Sequence, residues 1–393
     1  MNLELLKPEV QSFIRSKEIT NVEQIALSKS PFPGVSSAEL ANQIKSRKKA
    51  AQKIPSWYNT ENIIYPPYLS MEQCSSEDTA KLKAKLIQGN KIIDITGGYG
   101  VDSLFFAKSG KKTISIERQK ALCDITIHNA QALDLQDNIQ IYNADGIDYL
   151  SIHSETYDAI YVDPARRAEG RKVYQLADCE PAINTHLNLL FARTNNIWIK
   201  TAPFLDINAG LKELENTKGI HIISIKNECK ELLWNLEKNY SDSIQIICHC
   251  IGPKQIKTLH IPLEKLKIKI LYFPYRQDAF LYEPDAGLLK SGAFNFIAEH
   301  YNLKKIHPES HIYWSLELNT TFPGRIFEVD SILNPKDLKK ENLSGNVIVR
   351  NYPDRAENLV KKYKIKSHKE QFLIFTQDIQ ERLIFKAKIV QHY

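Results

Sequence analysis

Cysteine is scarce and unclustered. The chain has six, Cys74, Cys123, Cys179, Cys229, Cys248 and Cys250, with no CxxC pair and no second cluster that would complete a zinc site. That argues against a disulfide framework and a resident metal, and a reduced cytoplasmic location is expected. No run of about 18 apolar residues exists, the length a membrane span needs. The opening MNLELLKPEVQSFIRSK breaks its apolar positions with acids and bases, so neither an anchor nor an export leader is expected. Internal repeats with a period of about 20–50 residues and low-complexity tracts are also missing, which argues against a repeat architecture.

What remains is the composition of ordinary soluble modules: 393 residues, 43% hydrophobic and 25% charged, enough for two or three domains at about 100–200 residues each. The net charge of +6 is compatible with a polyanionic partner and does not demand one. Basic clusters stand at KSRKKAAQK (45–53), KLKIK (265–269) and LVKKYKIKSHK (359–369). A charge cluster is usually a solvated face, so each is a candidate phosphate contact and no more.

Residues 1–70 read as a helical module: LELLKPEVQSFI and AELANQIKSRKKAAQKI repeat apolar positions at helical spacing, with Pro31 and Pro33 between them. SWYNTENIIYPPYLS reads as a linker. From Asp78 the pattern alternates helix and strand: DTAKLKAKLI, KIIDIT, VDSLFFAKSG, KTISIE, KALCDITIHNAQAL, NIQIYN, YDAIYVD and NNIWIKTA. Such alternation predicts βαβ units on a parallel sheet. HIISIKN and SIQIICHCI follow without a clear crossover helix, which predicts an antiparallel pair at the sheet end. Beyond Leu266 shorter segments suggest small α+β layers, the last four reading β-α-β-β.

The chemistry concentrates at the carboxyl ends of the strands, where open parallel sheets bind ligands. KIIDITGGYGVDSLFFA (91–107) is a strand, a turn with Gly97, Gly98 and Gly100, then a helix. Glycines there let main chain turn tightly and lie against a ligand. Asp94 and Asp102 put acids around that turn, which suits a cationic ligand such as a sulfonium better than a pyrophosphate. Glu117 ends the second strand, where a carboxylate can take both hydroxyls of a ribose. Asp145 follows the third, placed to receive an adenine amine, and Asp163 and Pro164 follow the fourth. Singly, each is explained by βα punctuation, a helix cap or a loop opening. Their order on four consecutive strand ends is what carries weight.

With DITGGYGVD, Glu117, NADG and DPAR as successive motifs, the chain resembles the class I S-adenosylmethionine-dependent methyltransferases. LSMEQCSSEDTAKLKA, DPARR and EPDAGLLKSGAFNFIA resemble more narrowly a bacterial group with a ferredoxin-like insert and a C-terminal THUMP-like domain. The resemblance implies a Rossmann-like α/β sheet with an N-terminal helical module and a C-terminal α+β region. The corresponding division is 1–70 (helical), 71–258 (methyltransferase), 266–322 (ferredoxin-like) and 323–393 (THUMP-like). It implies S-adenosylmethionine held by Asp94, Thr96, Gly97, Gly98, Gly100, Asp102, Glu117, Asp145 and Gly146, with Glu72 and Ser76 against its methionine end. Ser75 or Ser76 can equally be a helix cap. Asp163, Pro164 and Arg166 would form the acceptor side.

The fourth motif departs from the Asn/Asp-Pro-Pro-aromatic pattern of enzymes acting on exocyclic base nitrogens, since Ala165 and Arg166 replace the second proline and the ring. Arg166 can hold a phosphate or a base edge, and Tyr68, Tyr99 and Tyr174 are substitutes for the stacking ring. Uracil-directed chemistry needs an activated cysteine; Cys179 is nearest in sequence to the motif but has no catalytic context. The expected function is methylation of an RNA base, in tRNA or rRNA, with the C-terminal part docking RNA. One alternative is a cofactor-binding but non-catalytic RNA-binding or ribosome-assembly factor. A nicotinamide oxidoreductase is disfavoured because Ser103 stands where the third glycine of GxGxxG would be. The RNA, the atom modified and the oligomeric state are not legible.

Overall fold

The computed structural model describes residues 1–17, 21–166, 176–336, 338 and 342–393. They fall into two compact units. The first comprises Met1–Thr201, Asn208–Asn216 and Trp234–Tyr240; the second comprises Ala202–Ile207, Thr217–Leu233 and Ser241–Tyr393.

In the first unit, helices α1 (Pro8–Ser16), α2 (Val22–Leu27), α3 (Ser37–Lys53), α4 (Pro55–Tyr58), α5 (Tyr68–Gln73) and α6 (Glu77–Leu86) precede the sheet. Helix α3 starts where it does because Ser36 and Glu39 form a reciprocal capping box, satisfying two otherwise orphaned N–H groups. The sheet then builds as β1 (Lys91–Asp94), α7 (Val101–Lys108), β2 (Lys112–Glu117), α8 (Lys120–Ala132), β3 (Ile139–Asn143), α9 (Gly146–Ile152) and β4 (Ala159–Val162). A two-residue ladder of β5 (Ala165–Arg166) and β6 (Cys179–Glu180), helix α10 (Leu187–Phe191) and strand β7 (Asn196–Thr201) follow. The strand order is β7-β4-β1-β2-β3, every neighbouring pair parallel.

Strand β4 is buried throughout, as central parallel strands covered on both faces are. Helix α7 is buried from Val101 to Ala107 because it lies between the sheet and the N-terminal helices. Those helices share its core: Leu40, Ile44, Trp57, Ile63, Ile64 and Tyr65 belong to one apolar cluster with Tyr99, Leu104 and Ile125. The segment read as a linker is therefore packed structure. Its backbone is pinned at Ile64 by Asn129 and at Tyr65 by Gln43.

Helix α11 (Ile207–Glu213) leads to β8 (Thr217–Ile225), β9 (Glu228–Glu237), β10 (Gln245–Ile251) and β11 (Ile256–Pro262). Strands β8 and β10 pair parallel, and β10 and β11 antiparallel, which corrects the antiparallel expectation for the first of these pairs. The reason is the missed strand β9. Lys226 and Asn227 both have positive φ, as a two-residue hairpin turn requires, and this reversal lets β10 return in the direction of β8.

The rest of the second unit comprises β12 (Phe280–Pro284), α12 (Ala286–Ser291), α13 (Phe294–His300), β13 (Lys304–Lys305), β14 (Tyr313–Ser315), β15 (Gly324–Ile332), β16 (Asn346–Val349), α14 (Ala356–Tyr363), β17 (Gln371–Gln377) and β18 (Arg382–Gln391). The strands form one sheet in the order β13-β14-β12-β15-β18-β17-β16. The β16-α14-β17 crossover is parallel and β17-β18 antiparallel, matching the β-α-β-β pattern. The phrase EPDAGLLKSG is structural here. Glu283, 1% exposed, is held by Arg325 and Arg350, while Asp285 caps α12 through the Gly287 N–H at 2.7 Å and accepts from Ser224.

Candidate active site

The glycine turn after β1 is closed by its own backbone: Gly97 N–H donates to Ile116 O and Gly100 N–H to Gly97 O, both at 2.8 Å. Gly100 has φ +80° and Gly98 +54°, left-handed values that favour glycine. A Cβ at Gly98 would meet nothing nearer than Thr96 O at 3.8 Å, so that residue borders open space.

Asp94 and Asp102 face the other way. Asp94 is 2% exposed and accepts from Thr96 N–H at 3.0 Å and Ser103 Oγ at 2.5 Å. Burial pushes its carboxyl up to about 7, against the pull of those hydrogen bonds, with Asp102 and Asp163 adding repulsion. Asp102 is 8% exposed and accepts from Ser75 Oγ and Tyr161 Oη, each at 2.8 Å, with Lys83 Nζ 3.0 Å away. Burial opposes its charge, but Lys83 and then Lys200 overcome that and hold it below the usual carboxylate range. Both acids thus have their partners inside the protein, where they shape the loop.

Glu117, at the end of β2, is half-buried. It accepts from Gly98 N–H at 2.8 Å and Gln119 N–H at 2.7 Å, and each carboxylate oxygen has a further lone pair. Asp145 caps α9, accepting from Ile147 and Asp148 N–H with Oδ1, while its Oδ2 is 4.0 Å from Arg118. Arg118 also pairs with Glu180 on β6. Gly146 is required by packing: a Cβ would meet Ile95 O at 2.2 Å, so any side chain would part α9 from the glycine turn.

The fourth strand end is joined to the first. Asp163 N–H donates to Thr96 Oγ1 at 2.6 Å, and Asp163 Oδ2 accepts from Lys200 Nζ at 2.6 Å. Asp163 keeps 37% side-chain exposure and Lys200 12%, so the pair borders solvent on the carboxylate side. Pro164 is buried, and the side chain of Arg166 lies outside the described residues. Among the proposed stacking rings, Tyr99 is excluded because it is buried against Trp57 with its hydroxyl on Ile64 O. Tyr68 has Lys45 Nζ 3.8 Å above its ring, and Tyr174 lies outside the described residues. Ser76 caps α6 through Thr79 N–H, and Glu72 is exposed on α5.

Sequence reasoning missed Lys200 and Lys83, and it read Ser75 as a candidate cap where Ser75 donates to Asp102. A lysine closing the apolar run NIWIK was the available signal for Lys200, since lysines are rarely buried without a partner. Burial pushes the thiols of Cys74, Cys123, Cys248 and Cys250 up, and that of Cys229 to about 12, so none of these is an activated thiolate. Among the described residues no His, Cys, Asp and Glu cluster could hold a metal, and no helix is long and apolar enough to cross a membrane.

Residues 89–251 match the family described as RNA cap guanine-N2 methyltransferase, 280–323 a ferredoxin-like domain and 324–385 a THUMP domain-like family. A solved structure of a putative methyltransferase from Porphyromonas gingivalis W83 superposes with a TM-score of 0.85 at 27% identity, covering 98% of this chain and 99% of that one. The chain is 25% identical over 168 residues to an uncharacterized S-adenosylmethionine-dependent methyltransferase of Mycobacterium tuberculosis, covering 42% of this chain and spanning 44% of that relative's length. It is 27% identical over 181 residues to ribosomal RNA small subunit methyltransferase J of Francisella philomiragia, covering 41% of this chain and 75% of that protein. The fold is that of a class I S-adenosylmethionine-dependent methyltransferase. More particularly, it is the form that carries ferredoxin-like and THUMP-like domains after the methyltransferase sheet.

Proposed function

We propose that this protein transfers a methyl group from S-adenosylmethionine to a base of a tRNA or rRNA in the cytoplasm, with domains at 1–70, 71–258, 266–322 and 323–393. The observation that carries the reading is the 2.8 Å bond from Gly98 N–H to Glu117, which joins two strand ends around open space. The residues fit the cofactor: Glu117 has lone pairs for a ribose diol, Gly98 borders room for a ligand, and Asp145 Oδ2 is an acceptor for an adenine amine. Thr96, Gly97, Gly100 and Gly146 shape that cradle, Asp94 and Asp102 brace it from behind, and Glu72 and Ser76 border its methionine side. When bound, S-adenosylmethionine supplies the electrophilic methyl group for an in-line displacement, which asks the protein mainly for alignment and exclusion of water.

Asp163 is the acceptor-side residue. Its carboxylate takes an N–H of the base amine and aims the nitrogen lone pair, while Lys200 fixes the carboxylate, Thr96 holds the Asp163 main-chain N–H, Pro164 stiffens the turn and Arg166 holds the substrate. A match over 89–251 to a family described by guanine-N2 chemistry supports an exocyclic amine as target. RNA docking by the C-terminal domain is supported by the THUMP-like match and by exposed Lys361, Lys362, Lys364, Lys366 and Lys369.

Calorimetry with S-adenosylmethionine tests the first half of the reading, since Glu117→Ala should abolish measurable binding. Labelled methyl transfer to total RNA from cells lacking the protein tests the second. Incorporation that is present with wild type and lost in Asp163→Ala supports catalysis; cofactor binding without any incorporation favours the non-catalytic alternative.

A further inference from the structure

Helix α3 carries Lys45, Lys49 and Lys53 four residues apart, a spacing that aligns them on one face. We propose that this row binds the phosphate backbone of the RNA strand entering the acceptor edge, an inference that rests on RNA being the substrate.

Among the described residues none of the three forms an ion pair with a carboxylate, although the Glu72 carboxylate acts on Lys53 from farther away. Among the described residues Lys45 and Lys49 form no ion pair, and Lys45 instead lies over the Tyr68 ring at 3.8 Å. Lys53 donates to the main-chain oxygens of Met71, at 3.3 Å, and Glu72. A ring face or a carbonyl carries no net charge to offset that of an ammonium group. The row also has a direction. Lys53 is half-buried, and after burial itself the repulsion of Lys200 and Lys49 is what disfavours its charge. Lys200, which repels Lys53, is itself the partner of Asp163.

Such a line of like charges is self-repelling, and a polyanion laid along it removes the repulsion. From Lys45 to Lys53 the helix rises about 12 Å, the length of three or four stacked nucleotides at about 3.4 Å each. The N-terminal helices would then act as a guide for the strand next to the modified base, a role separate from docking by the basic segment 359–369.

The test is fluorescence anisotropy of a labelled single-stranded RNA oligonucleotide with the full-length protein over a salt series. Lys45→Glu/Lys49→Glu should weaken binding at least tenfold and lower the slope of log affinity against log salt by about 1.4, the release expected for two phosphates. Lys45→Arg/Lys49→Arg should retain both. Unchanged S-adenosylmethionine affinity reports that the variants are folded, and Lys45→Gln/Lys49→Gln serves if charge reversal disturbs the helix. Wild-type binding with a slope that the substitutions leave unchanged overturns this inference and leaves the substrate reading standing. No RNA binding by wild type overturns both.

Discussion

Lys200 Nζ lies 2.6 Å from Asp163 Oδ2, across the ends of two adjacent parallel strands. The pair stands where the fourth motif lacks the second proline and aromatic ring common in amine-directed enzymes. Here a lysine fixes the carboxylate.

Lys200→Met should therefore lower the rate of methyl transfer by about 10²–10³-fold, the order lost when one preorganised electrostatic contact is removed. Asp163→Asn should lose less than Asp163→Ala, because an amide oxygen still accepts a hydrogen bond. Both are read from initial rates of labelled incorporation at saturating cofactor. Full activity in Lys200→Met would show that the pair is only a structural tie.

Asp94 should make stability depend on pH in an unusual direction. Its folded-state pKa, about 7, lies above the ordinary 3.8, so the native chain binds the extra proton between these values. Its contribution is fully present below about pH 4 and is lost as pH rises toward 7, at up to about 1.4 kcal/mol per unit. Asp94→Asn removes that dependence. In denaturant titrations the stability of the variant relative to wild type should rise from pH 4 to pH 7.5, and a constant difference would refute the assignment.

The Lys83–Asp102 pair, 0% and 9% exposed and 3.0 Å apart, should behave as a buried ion pair. Lys83→Met strands a buried carboxylate and should cost about 3–5 kcal/mol. Adding Asp102→Asn should return part of that loss, since the amide still meets Ser75 and Tyr161. Equilibrium unfolding of the two variants measures the difference.

Two glycines of the site should fail differently. Gly146→Ala drives a Cβ to 2.2 Å from the backbone oxygen of Ile95, and should destabilise by about 1–3 kcal/mol or more, as overpacking does. Gly98→Ala meets open space at φ +54° and should cost only about 1 kcal/mol of backbone strain. Its larger effect should be on S-adenosylmethionine affinity, because the new methyl group enters the ligand's space. Calorimetry beside thermal melts separates the two outcomes.

The alternation of helix and strand, the glycine turn and the run of acids at successive strand ends were legible in the residues, because they arise from local periodicity and turn chemistry. The sheet that results brings Gly98 to Glu117, nineteen positions along the chain. Which way an acid points is a different matter. Asp94, Asp102 and Glu117 look alike as letters, yet two are buried and one is half-exposed at the end of its strand. That division depends on where Lys83, Ser103 and Tyr161 arrive in space. The same holds for the linker segment of Ile63–Tyr65, buried because Gln43 and Asn129 meet its backbone. It holds also for β8 and β10, whose parallel pairing required β9 to be recognised as a strand. Local sequence thus determined the elements and the edge at which chemistry is possible. Tertiary packing alone decided which acids were buried against internal partners and which were left partly exposed at the strand ends, because the cost of burying a charge is set by partners far away in the chain.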